Sequence, residues 1–213
     1  MNPGVGRAAL GSIVLAALAL AGCGGSTNSS GTTGTGHRRL TTLDLINVVG
    51  IAPDTPEGAA YVTDPTTTAL TLSDLRQRAQ TPQEKATVRA FEKAGFRRIY
   101  QRSFNGAINV ADGTAYLFGN STGAGKGFAT LKNTLERPAS VSQRVTPVAV
   151  KGIGDEAWDA HVTGDSEGAI FLWRRSSLVV VADMSCDQTC GFDVVQAVRA
   201  YAEAIDGRAR DVS

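Results

Sequence analysis

The strongest constraint on the fold lies in the second half of the chain. Four apolar segments, residues 145–150, 157–162, 169–173 and 178–182, are each about the length of a strand and are joined by short turns rich in Gly, Asp and Ser. Parallel neighbours need a crossover of a dozen residues or more, so segments this close predict antiparallel pairing. A helical pattern follows. Val194, Val198, Tyr201, Ala202 and Ile205 form one apolar face behind Asp193 and Gln196, a capping-box pair, and Gly207 is the expected stop.

The first half carries a second well-marked helix. Thr81-Pro82-Gln83-Glu84 is a capping box with Pro at the first helical position. Val88, Phe91 and Ala94 give a narrow apolar stripe, and Gly95 sits where a left-handed C-cap residue belongs. Residues 96–104 alternate with neither face purely apolar, which predicts a partly exposed or edge strand. Residues 107–110 and 114–118, separated by Asp112-Gly113, read as a hairpin. A helix over 123–135 carries Phe128, Leu131 and Leu135 and ends before Pro138. Further upstream the signals weaken. Residues 40–51 suit a short helix or an opening strand equally. Residues 52–68, with Pro53, Pro56, Gly58 and Pro65, read as loop, and Ser73 is a candidate N-cap for a short helix through Ala79. The order of helices and strands predicts an α+β class, an antiparallel sheet with helices packed mainly on one face, in a single domain spanning 38–213.

The N-terminus predicts an address. Residues 8–21 are uncharged and follow Arg7. At helical rise they span roughly 21 Å, short of the roughly 30 Å hydrocarbon core, so they read as the apolar part of a signal peptide over 1–22. Leu20-Ala21-Gly22-Cys23 matches a bacterial lipobox, in which small residues admit a peptidase and the Cys23 thiol accepts diacylglycerol. Residues 23–37 are almost entirely Gly, Ser, Thr and Asn beyond the cysteine, a composition that buries nothing and predicts a flexible tether. His37, Arg38 and Arg39 end it as a small basic trio, more in keeping with chance than with headgroup binding. The expected location is the outer face of the cytoplasmic membrane, held by lipid on Cys23.

The three cysteines agree with that address. Lipidation consumes Cys23 and leaves Cys186 and Cys190 to pair in an oxidising compartment. Removal of Arg7 with the signal peptide brings 21 basic side chains level with 20 acidic ones. A neutral surface argues against a nucleic-acid partner. Arg outnumbers Lys about three to one, the mark of a GC-rich genome.

Two motifs imitate enzymes. Gly164-Asp165-Ser166-Glu167-Gly168 matches G-x-S-x-G, with His161 nearby and Asp155 and Asp159 upstream. The nucleophile elbow requires a strand running into a helix, whereas strand-like segments flank this Ser on both sides. Gly119-Asn-Ser-Thr-Gly-Ala-Gly-Lys-Gly127 imitates a phosphate loop but has Asn120 where the first glycine is needed and Gly127 in place of the magnesium-binding hydroxyl. No H-E-x-x-H, paired C-x-x-C or carboxylate cluster points to a metal, and no cofactor is expected.

One longer segment carries a family likeness. Val150-Lys151-Gly152-Ile153-Gly154-Asp155-Glu156-Ala157-Trp158 resembles the G-[L/I]-G-D-E-A-aromatic segment of actinobacterial lipoproteins and secreted domains of unassigned activity. Arg174 to Val181 resembles the Arg-led turn and apolar strand that follow it there. Similar segments occur in extracellular sensor domains of actinobacterial receptor kinases. The likeness covers roughly residues 90–206. It implies a shared fold more than a shared function, because in those relatives these residues have mostly structural roles assigned or none.

The resulting expectation is a non-enzymatic, lipid-anchored domain that binds a ligand or an envelope partner. Its site is expected in the groove between sheet and helices, with Tyr100, Arg102, Trp158 and Trp173 as contacts. The alternatives are an envelope serine hydrolase using Ser166 as nucleophile and His161 as base, and a lipid or glycolipid carrier, which needs an apolar cavity. The anchor is directly testable. Cys23→Ser should release the protein to the medium or leave it unprocessed, and unchanged membrane retention in detergent partition would refute the lipobox.

Overall fold

The computed structural model describes residues 40–54, 61–64, 68–106, 109–150 and 152–213. Cys23, the signal segment and the tether lie outside these residues. The described chain runs α1 (Thr42–Val49), β1 (Val62–Thr63), β2 (Thr68–Thr71), α2 (Leu72–Arg78), α3 (Pro82–Lys93), β3 (Phe96–Asn105), β4 (Asn109–Phe118), α4 (Ser121–Leu135), β5 (Arg144–Val148), β6 (Glu156–Thr163), β7 (Glu167–Arg175), β8 (Leu178–Cys186) and α5 (Val194–Val212). The strands form one antiparallel sheet in the order β1-β3-β4-β8-β7-β6-β5, with β2 also pairing β3. The α+β class and antiparallel sheet agree with the sequence.

The helices occupy both faces, not mainly one. On one face α1 and α5 cover Ala111, Ala115, Phe171, Trp173, Val180 and Ala182. On the other α2, α3 and α4 cover Ile99, Tyr116, Phe118, Leu172 and Val179. The reason is visible in β8. Leu178 to Ala182 is apolar at every position, and alternate side chains point to opposite faces, so both need cover.

Local signals explain most elements. Thr81 accepts from the Glu84 amide while Glu84 accepts from the Thr81 amide, as its capping box requires, and Gly95 has φ +73° beyond the end of α3. The same reciprocal pair opens α1 (Thr41 with Asp44) and α2 (Thr71 with Asp74). Residues 40–51 therefore resolve to a helix, and α2 starts from Thr71, not Ser73. Asp193 caps α5 through the Gln196 amide at 3.0 Å. Gly207 does not end α5. A side chain there would meet open space, and the extra turn buries Ala209 and brings Arg210 onto Asp206.

Two strand expectations change. β3 is an interior strand with β4 on one side and β1 and β2 on the other. Asp112-Gly113 is no turn: β4 runs straight through it, paired with β3 and β8. Gly113 is needed because a Cβ would lie 2.8 Å from the Tyr201 hydroxyl and 3.1 Å from Val49 Cβ. The glycines of α4 serve a similar purpose. A Cβ on Gly127 would enter the Phe118 ring at 2.1 Å, and one on Gly123 would strike the Ala94 carbonyl at 2.1 Å. Glycine lets α4 lie close on the sheet and on α3, so the phosphate-loop imitation is a packing device.

The G-I-G-D-E-A-W segment fastens two hairpins. Ile153 enters the core beside α5, and Gly154, at φ +64°, would place a Cβ 2.4 Å from the Arg174 carbonyl. Asp155 donates its amide to that carbonyl at 2.7 Å. Its carboxylate accepts from the Ser176 amide at 2.8 Å and from Arg174 at 3.1 Å, closing the β7–β8 turn, where Ser176 has φ 51°. Beside it, Arg175 binds Asp206 of α5 through two bonds of 2.8 Å, and Arg210 adds bonds of 2.8 and 3.1 Å.

Asp206 is 0% exposed. Burial opposes its ionisation, but the hydrogen bonds from Arg175 and Arg210 outweigh that and hold its carboxyl below the usual carboxylate range. Its contribution to stability is therefore complete above the pKa of an unfolded aspartate and is lost as pH falls through the folded value. Asp206→Asn leaves Arg175 without its buried partner and should cost about 3 kcal/mol in urea unfolding at neutral pH. The gap from wild type should narrow in acid; a variant of unchanged stability would show that α5 docks without this pair.

Candidate ligand cavity

Between α3, α4 and the sheet lies a cavity of about 390 Å³. Its floor is Ile99 of β3 and Tyr116 of β4, which face each other in the ladder. Thr87, Val88 and Phe91 of α3 form one wall, Leu131 and Thr134 of α4 the other, and Leu75 of α2 an end. Thr81, Gln83, Glu84, Arg137, Pro138 and Ala139 complete the lining. The sequence accounts for the space. The α3 stripe is narrow, Val88 and Phe91 being its buried positions, and Thr87 takes the adjacent place. Phe91 also stacks on Phe96 at 5.4 Å between ring centroids and meets Tyr116 and Phe118 edge-on at 5.7 and 5.8 Å. That cluster fixes the aromatic wall.

Tyr116 is the cavity's polar handle. The residue is 5% exposed and lines the cavity floor. Burial, helped by the nearby Asp183 charge, pushes the phenol's pKa well up, so it stays a neutral donor. Thr134 is satisfied, donating to the Thr130 carbonyl at 2.9 Å.

Further along the same face, Asp112 of β4 stands directly opposite Asp183 of β8. Asp112 is buried and accepts a hydrogen bond from Ser103. Loss of hydration raises its pKa, hydrogen bonds from Ser103 and Gln101 offset part of the rise, and Asp64 adds to it. Asp183 titrates well above the ordinary range, through loss of hydration and then the charge of Asp112. Like charges directly opposite in a ladder repel, so one carboxyl keeps its proton.

The four residues expected as ligand contacts do not come together. Tyr100 and Trp173 are buried in the core beneath α1 and α5. Arg102 lies 6.0 Å from the centroid of the Phe104 ring on that same face. Trp158 is buried on the opposite face, and none of the four lines the cavity. Ser166 sits in the turn between β6 and β7, a strand–turn–strand setting. His161 Nε2 is 3.0 Å from Glu167 Oε1, and Glu167 Oε2 accepts from the Cys190 amide at 2.9 Å. Cys186 and Cys190 are disulfide-bonded, 5.2 Å apart at Cα. His161 and Glu167 thus brace the disulfide loop. Among the described residues no group of three or more His, Cys, Asp or Glu could hold a metal ion, and no helix is long and apolar enough to cross a membrane.

Tyr116, Ile99 and Leu131 are the residues that sequence reasoning passed over as a site. The available signal was the narrowness of the α3 stripe, too little apolar volume to fill the wedge it faces. Asp112 was masked by its glycine neighbour, which imitates a turn.

No known family model matches the chain, and no curated protein is significantly similar in sequence. Among solved structures it is distantly similar to the extracellular domain of PknH from Mycobacterium tuberculosis. That match is 14% identical, with a TM-score of 0.42, covering 80% of this chain and 92% of that one. An uncharacterised protein of Mycobacterium smegmatis (the Rv0999 ortholog) is similar at 14% identity and a TM-score of 0.41, over 74% of this chain and 90% of that one.

The acidic pair supplies a test. Asp183 holds a proton in the folded state at pH values where the unfolded chain has released it, so this contribution is most favourable below the unfolded pKa and declines as pH rises toward the folded one. Asp183→Asn should raise the melting temperature at pH 7 by a few degrees, and the gain should vanish near about pH 4. No gain at pH 7 would mean that the pair does not strain the sheet.

Proposed function

We propose that this chain is a non-enzymatic, extracytoplasmic ligand-binding domain, anchored by lipid on Cys23, and that the cavity between α3, α4 and the sheet is its ligand site. One observation carries this reading: an apolar-lined cavity of about 390 Å³ between α3, α4 and the sheet, with Ile99 and Tyr116 as its floor. Cavities of this size, mostly apolar with a few placed polar groups, are the usual form of small-molecule sites. The anchor is supported by the register of Arg7, the apolar segment, Ala21-Gly22 and Cys23.

The hydrolase alternative has less in its favour. Ser166 lies outside the cavity in a hairpin turn, and His161 is occupied by Glu167. A carrier would use the same cavity and differ only in whether the ligand is passed on.

Native mass spectrometry of protein extracted from membranes tests the site. Wild type should retain a small molecule, and Leu131→Trp, which fills the space between α3 and α4, should not. Tyr116→Phe should weaken retention several-fold while leaving the fold intact by circular dichroism. Equal occupancy in wild type and Leu131→Trp would place the ligand elsewhere.

A further inference from the structure

The charges around the cavity narrow the class of ligand. We propose that it takes the single apolar chain of an anionic amphiphile, with the tail inside against Phe91, Ile99 and Leu131 and the head group at the mouth on Arg137. This rests on the reading of the cavity as the ligand site.

Three observations support that orientation. The walls are mostly apolar, Thr87 and Thr134 being their polar members, and Arg137 is the one cation in the lining; farther along the floor face stand Asp112 and Asp183. An anion drawn inside would lose its hydration and gain no partner. Tyr116 can donate one hydrogen bond to a neutral oxygen of the bound molecule or to a trapped water, which suits a chain with an uncharged linkage.

The mouth has the opposite character. Its two charged residues are Glu84 and Arg137. Glu84 is committed to the start of α3, accepting from the Gln80 and Thr81 amides at 2.8 Å each. Those bonds hold its carboxyl below the usual range and turn its charge into the helix cap. Arg137 is exposed and has no ion-pair partner among the described residues. Its planar fork of donors matches a carboxylate or a phosphate. A cationic head would meet this guanidinium and be repelled.

Size limits the tail. A volume of about 390 Å³ lies near the lower end of the roughly 300–1,000 Å³ usual for ligand sites, so one chain fits better than two. Fatty acids and single-chain phospholipids share this chemistry, and the head group separates them.

The test uses the whole chain carrying Cys23→Ser, so that no lipid of its own competes. Octyl phosphate, octanoate, octanol and octyltrimethylammonium are titrated by calorimetry below micelle formation. The two anions should bind more tightly than octanol, and the cation most weakly. Whichever anion binds better identifies the source as phospholipid-like or fatty acid, and either result supports the proposal. Arg137→Gln should weaken both anions about three- to five-fold and leave octanol unchanged. Leu131→Trp should abolish binding of all probes. Octanol binding as tightly as the anions, or anion binding indifferent to Arg137→Gln or retained in Leu131→Trp, would overturn this inference alone. Failure of all four probes to bind wild type would overturn the reading of the cavity as a ligand site.

Discussion

Everything in this fold depends on the pairing of β4 with β8 at the centre of the sheet. These strands are covered on both faces, so their side chains serve two separate cores. One core is closed by α1 and α5, the other by α2, α3 and α4. Each helix group needs the sheet as its floor, and the sheet needs both groups to shield β8, whose residues from Leu178 to Ala182 are apolar without interruption. The price of so central a position is that any polar group there must be satisfied or neutralised. Asp112 and Asp183 stand opposite each other within that shielded pair, and both titrate high for that reason.

The two cores are held in different ways. Under α5 the packing is dense, with Trp173, Phe171, Tyr201 and Ile205 all at or near full burial. Arg175 and Arg210 converge on Asp206 and fix α5 against β7, while Asp155 fastens the β7–β8 turn to the segment before β6. The G-I-G-D-E-A-W segment therefore has a sufficient explanation in structure: a left-handed glycine, a buried Ile, and a carboxylate closing a neighbouring turn.

On the opposite face the packing is uneven. Glycines bring α4 down onto Phe118, and the Phe91–Phe96–Phe118 cluster fills that end. Beyond Phe91, Val88 of α3 and Leu131 of α4 leave the wedge unfilled, and a cavity remains above Ile99 and Tyr116. Dense packing on one face and an opening on the other is a division that suits a rigid support for a ligand site.

The sequence by itself determined the elements whose signals are local. The capping box at Thr81, the N-cap at Asp193, the four strands of the second half and the pairing of Cys186 with Cys190 all follow from residues within a few positions of one another, where backbone and side-chain chemistry act directly. Only the tertiary structure decided which faces the helices cover, that Asp112-Gly113 lies within a strand, and that Tyr116 rather than Tyr100, Trp158 or Trp173 borders a cavity. Those outcomes depend on contacts between residues far apart in the chain: Gly113 answers to Tyr201, Gly127 to Phe118, and Ile99 to Leu131. A cavity is the space left by such distant neighbours, so no single segment of sequence encodes it.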